Sequence, residues 1–243
     1  MNRRDYLGAV AGLATAATVP IAGCSTGVGE VPPPEFPESR MDGWTRIETK
    51  TETVFEEEIG GSSIEGKANT VAYEDEALRG EIEAELGEIG HPVATLAASR
   101  VAFSGGFGGP AGTEAGVADR LETAARERFE SRLREAGVEN IERTSAETVT
   151  VDSGAEARYR RYAADLTLET DAAAAAGVDS IPVVGDLAAW RGEESSLIVG
   201  AAYPAESLSD TIEREGGDVS DVDTGFDAAA YRGEIRAIVT AIE

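Results

Sequence analysis

Few residues in this chain could carry out nucleophilic or metal-dependent chemistry. It has one histidine, His91, and one cysteine, Cys24, so a nucleophilic triad would have to use His91. His91 stands in the turn-like stretch Gly90-His91-Pro92, and no G-x-S-x-G elbow accompanies it. One histidine and one cysteine cannot form a Cys/His metal site. We therefore expect His91 to be an ordinary turn residue, and we predict no catalytic residue.

Carboxylates near the C-terminus suggest a calcium site, and calcium is the only cofactor that the sequence indicates. Asp221, Asp223 and Gly225 resemble part of a calcium loop, because oxygens from a tight turn can surround one hard cation. The spacing does not reproduce a whole EF-hand loop, and no glutamate closes it. The alternative is a solvated loop in which Asp227 caps the last helix. Calcium at Asp221 and Asp223 is kept as a hypothesis beside that alternative.

A glycine-rich loop follows a predicted strand at 93–103. Gly106, Gly108 and Ala111 have the G-x-G-x-x-A spacing of a dinucleotide loop, which must run directly into its helix. Here Pro110 and further residues intervene before the predicted helix. The loop is therefore expected to be a surface loop, or else a flap whose tip, Phe107, contacts a ligand.

The segment 172–185 is unusually apolar for a connection and contains Val183 and Val184. Either it is buried in the core or begins a strand, or it forms a docking surface for a partner protein or an apolar ligand. Both interpretations stay open at this stage.

Composition limits the partners. The chain of 243 residues has 46 acidic and 21 basic residues, a formal net charge of −25, and its only lysines are Lys50 and Lys67. Hydrophobic residues make up 42%, so a packed core is within reach and disorder is not expected. Surplus carboxylate with scarce lysine resembles proteins of extreme halophiles, whose surface repulsion is screened at molar salt. Nucleic acid is not an expected partner, because no basic face could neutralise phosphates.

The N-terminus has the layout of a secretory signal. Arg3 and Arg4 precede an apolar run at 7–23, which is short and weakly hydrophobic for a permanent membrane span. Arg3-Arg4-Asp5-Tyr6-Leu7 resembles the twin-arginine export motif. Ile21-Ala22-Gly23-Cys24 resembles a lipobox, in which the cysteine becomes the first mature residue and carries a lipid. The resemblance implies a lipoprotein held at the outer face of the cytoplasmic membrane through Cys24.

The rest of the chain divides into a linker and one domain. Residues 24–41 contain Val31-Pro32-Pro33-Pro34-Glu35-Phe36-Pro37 and are predicted to be a stiff spacer, and residues 42–243 suit a single domain. Hairpins are predicted at 44–73, around Gly60-Gly61, and at 141–169, around Asp152-Ser153-Gly154. Residues 47–54 resemble 141–149, which either a duplication or convergent hairpin chemistry explains.

Two long helices are predicted, at 117–136 and 227–242. In the first, Leu121, Ala125, Phe129 and Leu133 recur at four-residue steps and Gly137 is the expected stop. Because hairpins outnumber parallel crossovers, the expected fold is α+β, a mainly antiparallel sheet built from hairpins with the two long helices packed on it.

The signal, the lipobox cysteine and the acidic domain together resemble the uncharacterised lipoproteins of halophilic archaea. A looser similarity is to small secreted α+β domains of the photosystem-accessory type, which bind rather than catalyse. The expected function is therefore a non-catalytic, lipid-anchored binding or assembly module outside the membrane, serving an unknown cell-surface protein or ligand. The alternative is an extracytoplasmic hydrolase with an acidic or cation-assisted site.

Overall fold

A seven-stranded antiparallel sheet is the centre of the fold. The structure is a computed structural model that describes residues 29–59, 62–104, 114–192, 195–216 and 226–243. The strands are β1 (Trp44–Ile59), β2 (Ser62–Asp75), β3 (Thr95–Phe103), β4 (Val138–Thr150), β5 (Glu156–Thr167), β6 (Ser180–Arg191) and β7 (Ser196–Pro204). Their spatial order is β1-β2-β3-β7-β6-β5-β4, so β1 and β4 are the two outer strands.

The sequence predicts two long helices, at 117–136 and 227–242, but only the first of the two places has a long helix. The helices of the described ranges are α1 (Glu76–Leu86), α2 (Glu114–Glu135), α3 (Asp171–Ala175), α4 (Leu208–Arg214) and α5 (Ala228–Ala241), with a 3-10 turn at Glu38–Arg40. Helix α2 has 22 residues, but α5 has only 14 and the other three have 11, 5 and 7. The α+β class and the antiparallel sheet are confirmed; the two long helices are confirmed only as helices at those places.

Two similar units flank the central strand β7. In each unit a hairpin is followed by a short helix and a third antiparallel strand: β1-β2-α1-β3 and β4-β5-α3-β6. Asp75 N-caps α1, and Thr170 N-caps α3. The Thr170 hydroxyl also donates to the carbonyl of Leu86, which joins the two helices. The similar stretches 47–54 and 141–149 lie on the first strands of the two units.

Helices cover both faces of the sheet. On one face Phe129 of α2 lies over Gly200 and Gly185; a Cβ built on Gly200 would lie 2.9 Å from Phe129 Cδ2. Because side chains alternate along a strand, Val199 and Tyr203 of β7 point to the opposite face. There α5 covers the sheet, with its Ile235 1% exposed. The sheet is therefore the middle layer of three.

The described part of the predicted linker lies against the domain. Val31 is 3% exposed, and its carbonyl accepts a hydrogen bond from Asn69 Nδ2 at 3.0 Å. The backbones of Glu35 and Glu243 exchange two hydrogen bonds, of 2.6 and 3.0 Å. The rings of Phe36 and Tyr73 have centroids 4.7 Å apart. Residues 31–36 are thus part of the packed structure, next to its last residue.

Within the described ranges, every helix is too short or too polar to cross a bilayer.

Candidate functional site

Most of the sequence-predicted site residues lie outside the described ranges. They are Arg3, Arg4, Ile21, Ala22, Gly23, Cys24, Phe107, Asp221 and Asp223. The export, lipidation, flap and calcium hypotheses therefore stay predictions.

Val183 and Val184 lie in the interior and not in an exposed loop. Both belong to β6 and pair with Ala164 and Ala163 of β5. They are 3% and 6% exposed, so neither offers a docking surface. This corrects the hypothesis of a ligand-contacting surface there: the apolar segment begins a strand, which was the other interpretation.

His91 is a packing residue at the junction of the two units. Its ring lies against Gly137, whose φ of +79° suits the residue that ends α2. Burial lowers the pKa of His91, although a backbone hydrogen bond at Thr167 and the charge of Glu169 oppose that change. Its Nε2 is buried and has no hydrogen-bond partner within the described ranges. A neutral ring suits this place.

An open acidic groove lies between α1 and α5, with a volume of about 370 Å³. Two helix caps place carboxylates in it. Asp75 accepts from the amide of Leu78 at 3.0 Å, and Asp227 accepts from the amides of Ala229 and Ala230 at 2.9 and 3.0 Å. Helix N-termini favour such negative charges. Glu81 of α1 and Glu234 of α5 complete the acidic lining.

Aromatic rings form the floor of this groove. Tyr231 of α5 donates its hydroxyl to the second oxygen of Asp75 at 2.9 Å. Burial, with the nearby Asp75 charge, raises the pKa of Tyr231, so the phenol stays protonated. Its ring centroid lies 5.1 Å from that of Phe226, 5.7 Å from Tyr203 and 6.4 Å from Trp44. The cluster is close enough for favourable tilted ring contacts and fixes the groove wall.

A buried ionic network lies behind the aromatic floor. Asp186 of β6 is 1% exposed. Its carboxylate accepts from Arg161 Nε at 2.9 Å, from Arg161 Nη2 at 3.3 Å, and from the Tyr203 hydroxyl at 2.7 Å. The hydrogen bond to Asp186 raises the pKa of Arg161, and burial raises that of Tyr203. Because Arg161 and Tyr203 donate to the buried Asp186 carboxylate, we assign the network a structural role.

The ring of Tyr159 lies next to this network, under the guanidinium group of Arg161. It is 1% exposed and lies under two guanidinium groups, Arg236 at 5.3 Å and Arg161 at 5.9 Å from its centroid. Burial raises the pKa of Tyr159, and its hydroxyl has no hydrogen bond of ordinary geometry within the described part of the chain. The position of the Tyr159 ring is therefore stabilised by cation–π contacts and not by a hydrogen bond of its hydroxyl group.

The groove can recognise a positively charged group. Its four carboxylates supply ion pairs, and the rings of Phe226 and Tyr231 supply apolar contact and cation–π attraction. Within the described ranges no three His, Cys, Asp or Glu side chains are grouped closely enough to hold a metal ion. Sequence reasoning found Asp227 as a helix cap, which is confirmed, but it missed the groove. Asp75 and Tyr231 are 156 positions apart, and no local pattern joins them.

The fold and groove together define a class: an antiparallel α+β domain with helices on both faces and an acidic, aromatic-floored groove. The sequence profile of a family described as Domain of unknown function (DUF6517) matches residues 33–243. The chain belongs to that family. Neither a curated protein nor a solved structure matches the chain.

Proposed function

We propose that this chain is a lipid-anchored binding or assembly module outside the cytoplasmic membrane of a halophilic archaeon. In this proposal residues 1–23 are the export signal, Cys24 carries the lipid, and the groove between α1 and α5 binds a cationic group of a partner. The observation that carries the binding role is the pairing of Phe226 and Tyr231 with four carboxylates in one open groove. Binding sites commonly combine apolar and aromatic side chains with placed polar groups that orient the ligand.

The anchor would hold the domain close to the bilayer. Val31 is fixed on the sheet, so only residues 24–30 could act as a tether. At no more than about 3.5 Å per residue, seven residues reach about 25 Å. A partner of the groove would then be a protein at the membrane surface.

The anchor is tested by the intact mass and N-terminal peptide of the protein recovered from membranes. The expected mature chain starts at Cys24 and carries a lipid, and Cys24→Ala should move the protein from membranes to the medium. A chain that retains Met1, with a free thiol at Cys24, would contradict the anchor.

The groove is tested by titrating a tetra-arginine peptide into the full chain at molar salt, with calorimetric detection. Removing two groove charges with the double variant Glu81→Gln/Glu234→Gln should weaken binding at least fivefold. Glu127→Gln is the matched control, because Glu127 lies on α2 on the other face and has a 69% exposed side chain. Equal affinities for both variants would refute a groove site.

The halophilic origin is tested by circular dichroism. Secondary structure should be lost on dialysis to millimolar salt, because the repulsion of 46 acidic residues is then no longer screened. An unchanged spectrum would contradict this part of the proposal.

A further inference from the structure

Strand β1 presents a long open edge. It has 16 residues, it is the outermost strand, and within the described ranges no backbone group hydrogen-bonds to its outer side. The two exposed large hydrophobic side chains of the described chain are both on it, Ile47 at 44% and Val54 at 38%. Such an edge is a template for another strand unless charge, proline or a bulge protects it.

The bulges of β1 leave one regular stretch. Register shifts occur between Arg46 and Glu48 and between Thr53 and Phe55, so residues 48–53 pair regularly with β2. In this stretch Glu48, Lys50 and Glu52 share one face, and Thr49, Thr51 and Thr53 share the other. Lys50 Nζ lies 2.6 Å from Glu52 Oε2. One of the two lysines of this acidic chain therefore stands on its open edge.

We propose that β1 pairs antiparallel with β1 of a second copy of this chain, about a two-fold axis at Thr51, to form a continuous sheet across the dimer. In this register Lys50 lies opposite Glu52 of the second copy, and Glu52 lies opposite its Lys50. Thr49 lies opposite Thr53 in the same reciprocal way. Opposite charges and threonines facing each other across strands are both stabilising pairs.

Charge selects this register among its neighbours. The two-fold axis is perpendicular to the sheet, so opposed residues of the two copies point to the same face. Their numbers are therefore both odd or both even, and the axis must pass through a residue and not between two residues. With the axis at Lys50, the two lysines would face each other and Glu48 would face Glu52, which is repulsive. With the axis at Thr49, only Glu48, Thr49 and Lys50 would pair within the regular stretch. The axis at Thr51 uses five regular residues, 49–53.

The opposite edge of the sheet lacks this complementarity. In β4 the regular stretch after the register shifts is 145–150, and its single charged residue is Glu147. Self-pairing of β4 about position 147 would place two carboxylates together, and within 145–150 the other axes place Glu147 opposite Ser145 or Val149, which carry no charge. The occupant that fits β1 is therefore β1 itself. Molar salt would screen the net charge of −25 on each copy, while contacting ion pairs are screened much less.

Cysteine cross-linking of the full chain at molar salt tests the axis directly. A residue on a two-fold axis faces its own copy, and opposed Cβ atoms of antiparallel strands are about 4.5–5.5 Å apart, within reach of a disulfide or a short bis-maleimide. Thr51→Cys should give at least tenfold more cross-linked dimer than Thr148→Cys, an exposed threonine on the other edge. The unsubstituted chain reports any cross-linking through Cys24. Equal yields from Thr51→Cys and Thr148→Cys, or a higher yield from Lys50→Cys, would overturn the proposal.

A charge exchange provides a second test that does not depend on introduced thiols. Sedimentation of the full chain in detergent should show at least tenfold weaker dimerisation for Lys50→Glu. The double variant Lys50→Glu/Glu52→Lys restores both cross-strand pairs and should return the dimer to within threefold of the original. A monomeric parent chain, or a double variant as weak as Lys50→Glu, would overturn the proposal. Neither result depends on the groove or on the lipid at Cys24, so failure here is distinct from failure of the proposed function.

Discussion

The two units of the sheet have the same order of elements but are stabilised by different interactions. The first unit, β1-β2-α1-β3, pairs the buried Glu74 of β2, 5% exposed, with Arg79 of α1 at 3.1 Å, and its Glu52 pairs near the surface with Arg128 of α2 at 2.6 Å. The second unit, β4-β5-α3-β6, buries the ion pair of Arg161 and Asp186. A surface ion pair contributes little to the free energy of unfolding, whereas removing one partner of a buried pair is strongly destabilising because the other charge stays buried. Ion pairs within the same repeated topology should therefore differ in their sensitivity to mutation, according to how far each pair is buried.

The largest effect should come from breaking the buried pair of the second unit. Arg161→Met leaves the Asp186 carboxylate buried without its cationic partner, although the Tyr203 hydroxyl still donates to it. We expect a loss of about 3–5 kcal/mol in the free energy of unfolding. Arg128→Met, its counterpart for the surface pair with Glu52, should cost less than about 1 kcal/mol. Denaturant unfolding at molar salt measures both, and equal losses would remove the contrast between the buried and the surface pair.

The next effect concerns β7, the strand between the units. In Gly200→Ala the new Cβ would lie 2.9 Å from Phe129 Cδ2, so the ring must move. We expect a loss of about 1–3 kcal/mol in the free energy of unfolding. Phe129→Leu in the same chain should recover part of it, because the smaller side chain relieves the contact. A double variant less stable than Gly200→Ala alone would contradict this packing.

A smaller effect should distinguish the two equivalent helix caps. Asp75→Ala removes the cap of α1 and also the acceptor of the Tyr231 hydroxyl, and Thr170→Ala removes the cap of α3 and the bond to Leu86. Each cap contributes about 1 kcal/mol. Since Tyr231 would be left without its acceptor, Asp75→Ala should be the more destabilising by about 1 kcal/mol. Thermal melting of both variants measures the order, and the reverse order would be inconsistent with it.

The smallest effect should appear where the units meet, at His91. Burial lowers the pKa of His91 in the folded protein, so the unfolded chain takes up a proton first as pH falls. Stability should therefore decrease as pH falls through about 6.5, the ordinary histidine value, until the folded pKa is reached. His91→Gln should flatten the dependence between pH 7 and the range in which carboxylates titrate. The same slope in both proteins would exclude His91 as its source.

Local patterns were enough to predict much of the fold. The two predicted hairpins are confirmed as the antiparallel pairs β1 with β2 and β4 with β5. Asp152-Ser153-Gly154 lies between β4 and β5, and Gly60-Gly61 lies outside the described residues. The four-residue repeat of Leu121, Ala125, Phe129 and Leu133 lies in α2, where Phe129 packs against the sheet. These features depend on neighbours in sequence, which is why the sequence alone revealed them.

Other features depend on partners distant in sequence. Strand β6 begins at Ser180, inside the apolar segment 172–185, although Pro182 lacks the N–H that a central strand uses. The pairing of β6 with β7 reaches only to Val183, so Pro182 lies beyond it and loses no bond to that neighbour. The groove likewise needs Asp75 beside Tyr231, which only the folded sheet provides.

The pairing of Glu35 with Glu243 makes the two ends of the domain a single mechanical joint. A pull on the chain before residue 29 reaches the sheet first at Val31, held by Asn69, and then at this joint. Because Glu243 follows α5 directly, a force on the N-terminal segment would act on α5 as well as on the sheet. Both ends of the domain would therefore resist the force before it reached β1. Deleting Glu243 would remove both backbone hydrogen bonds of Glu35 and leave the N-terminal segment held by the hydrogen bond from Asn69 and by side-chain packing, including that of Phe36 and Met41.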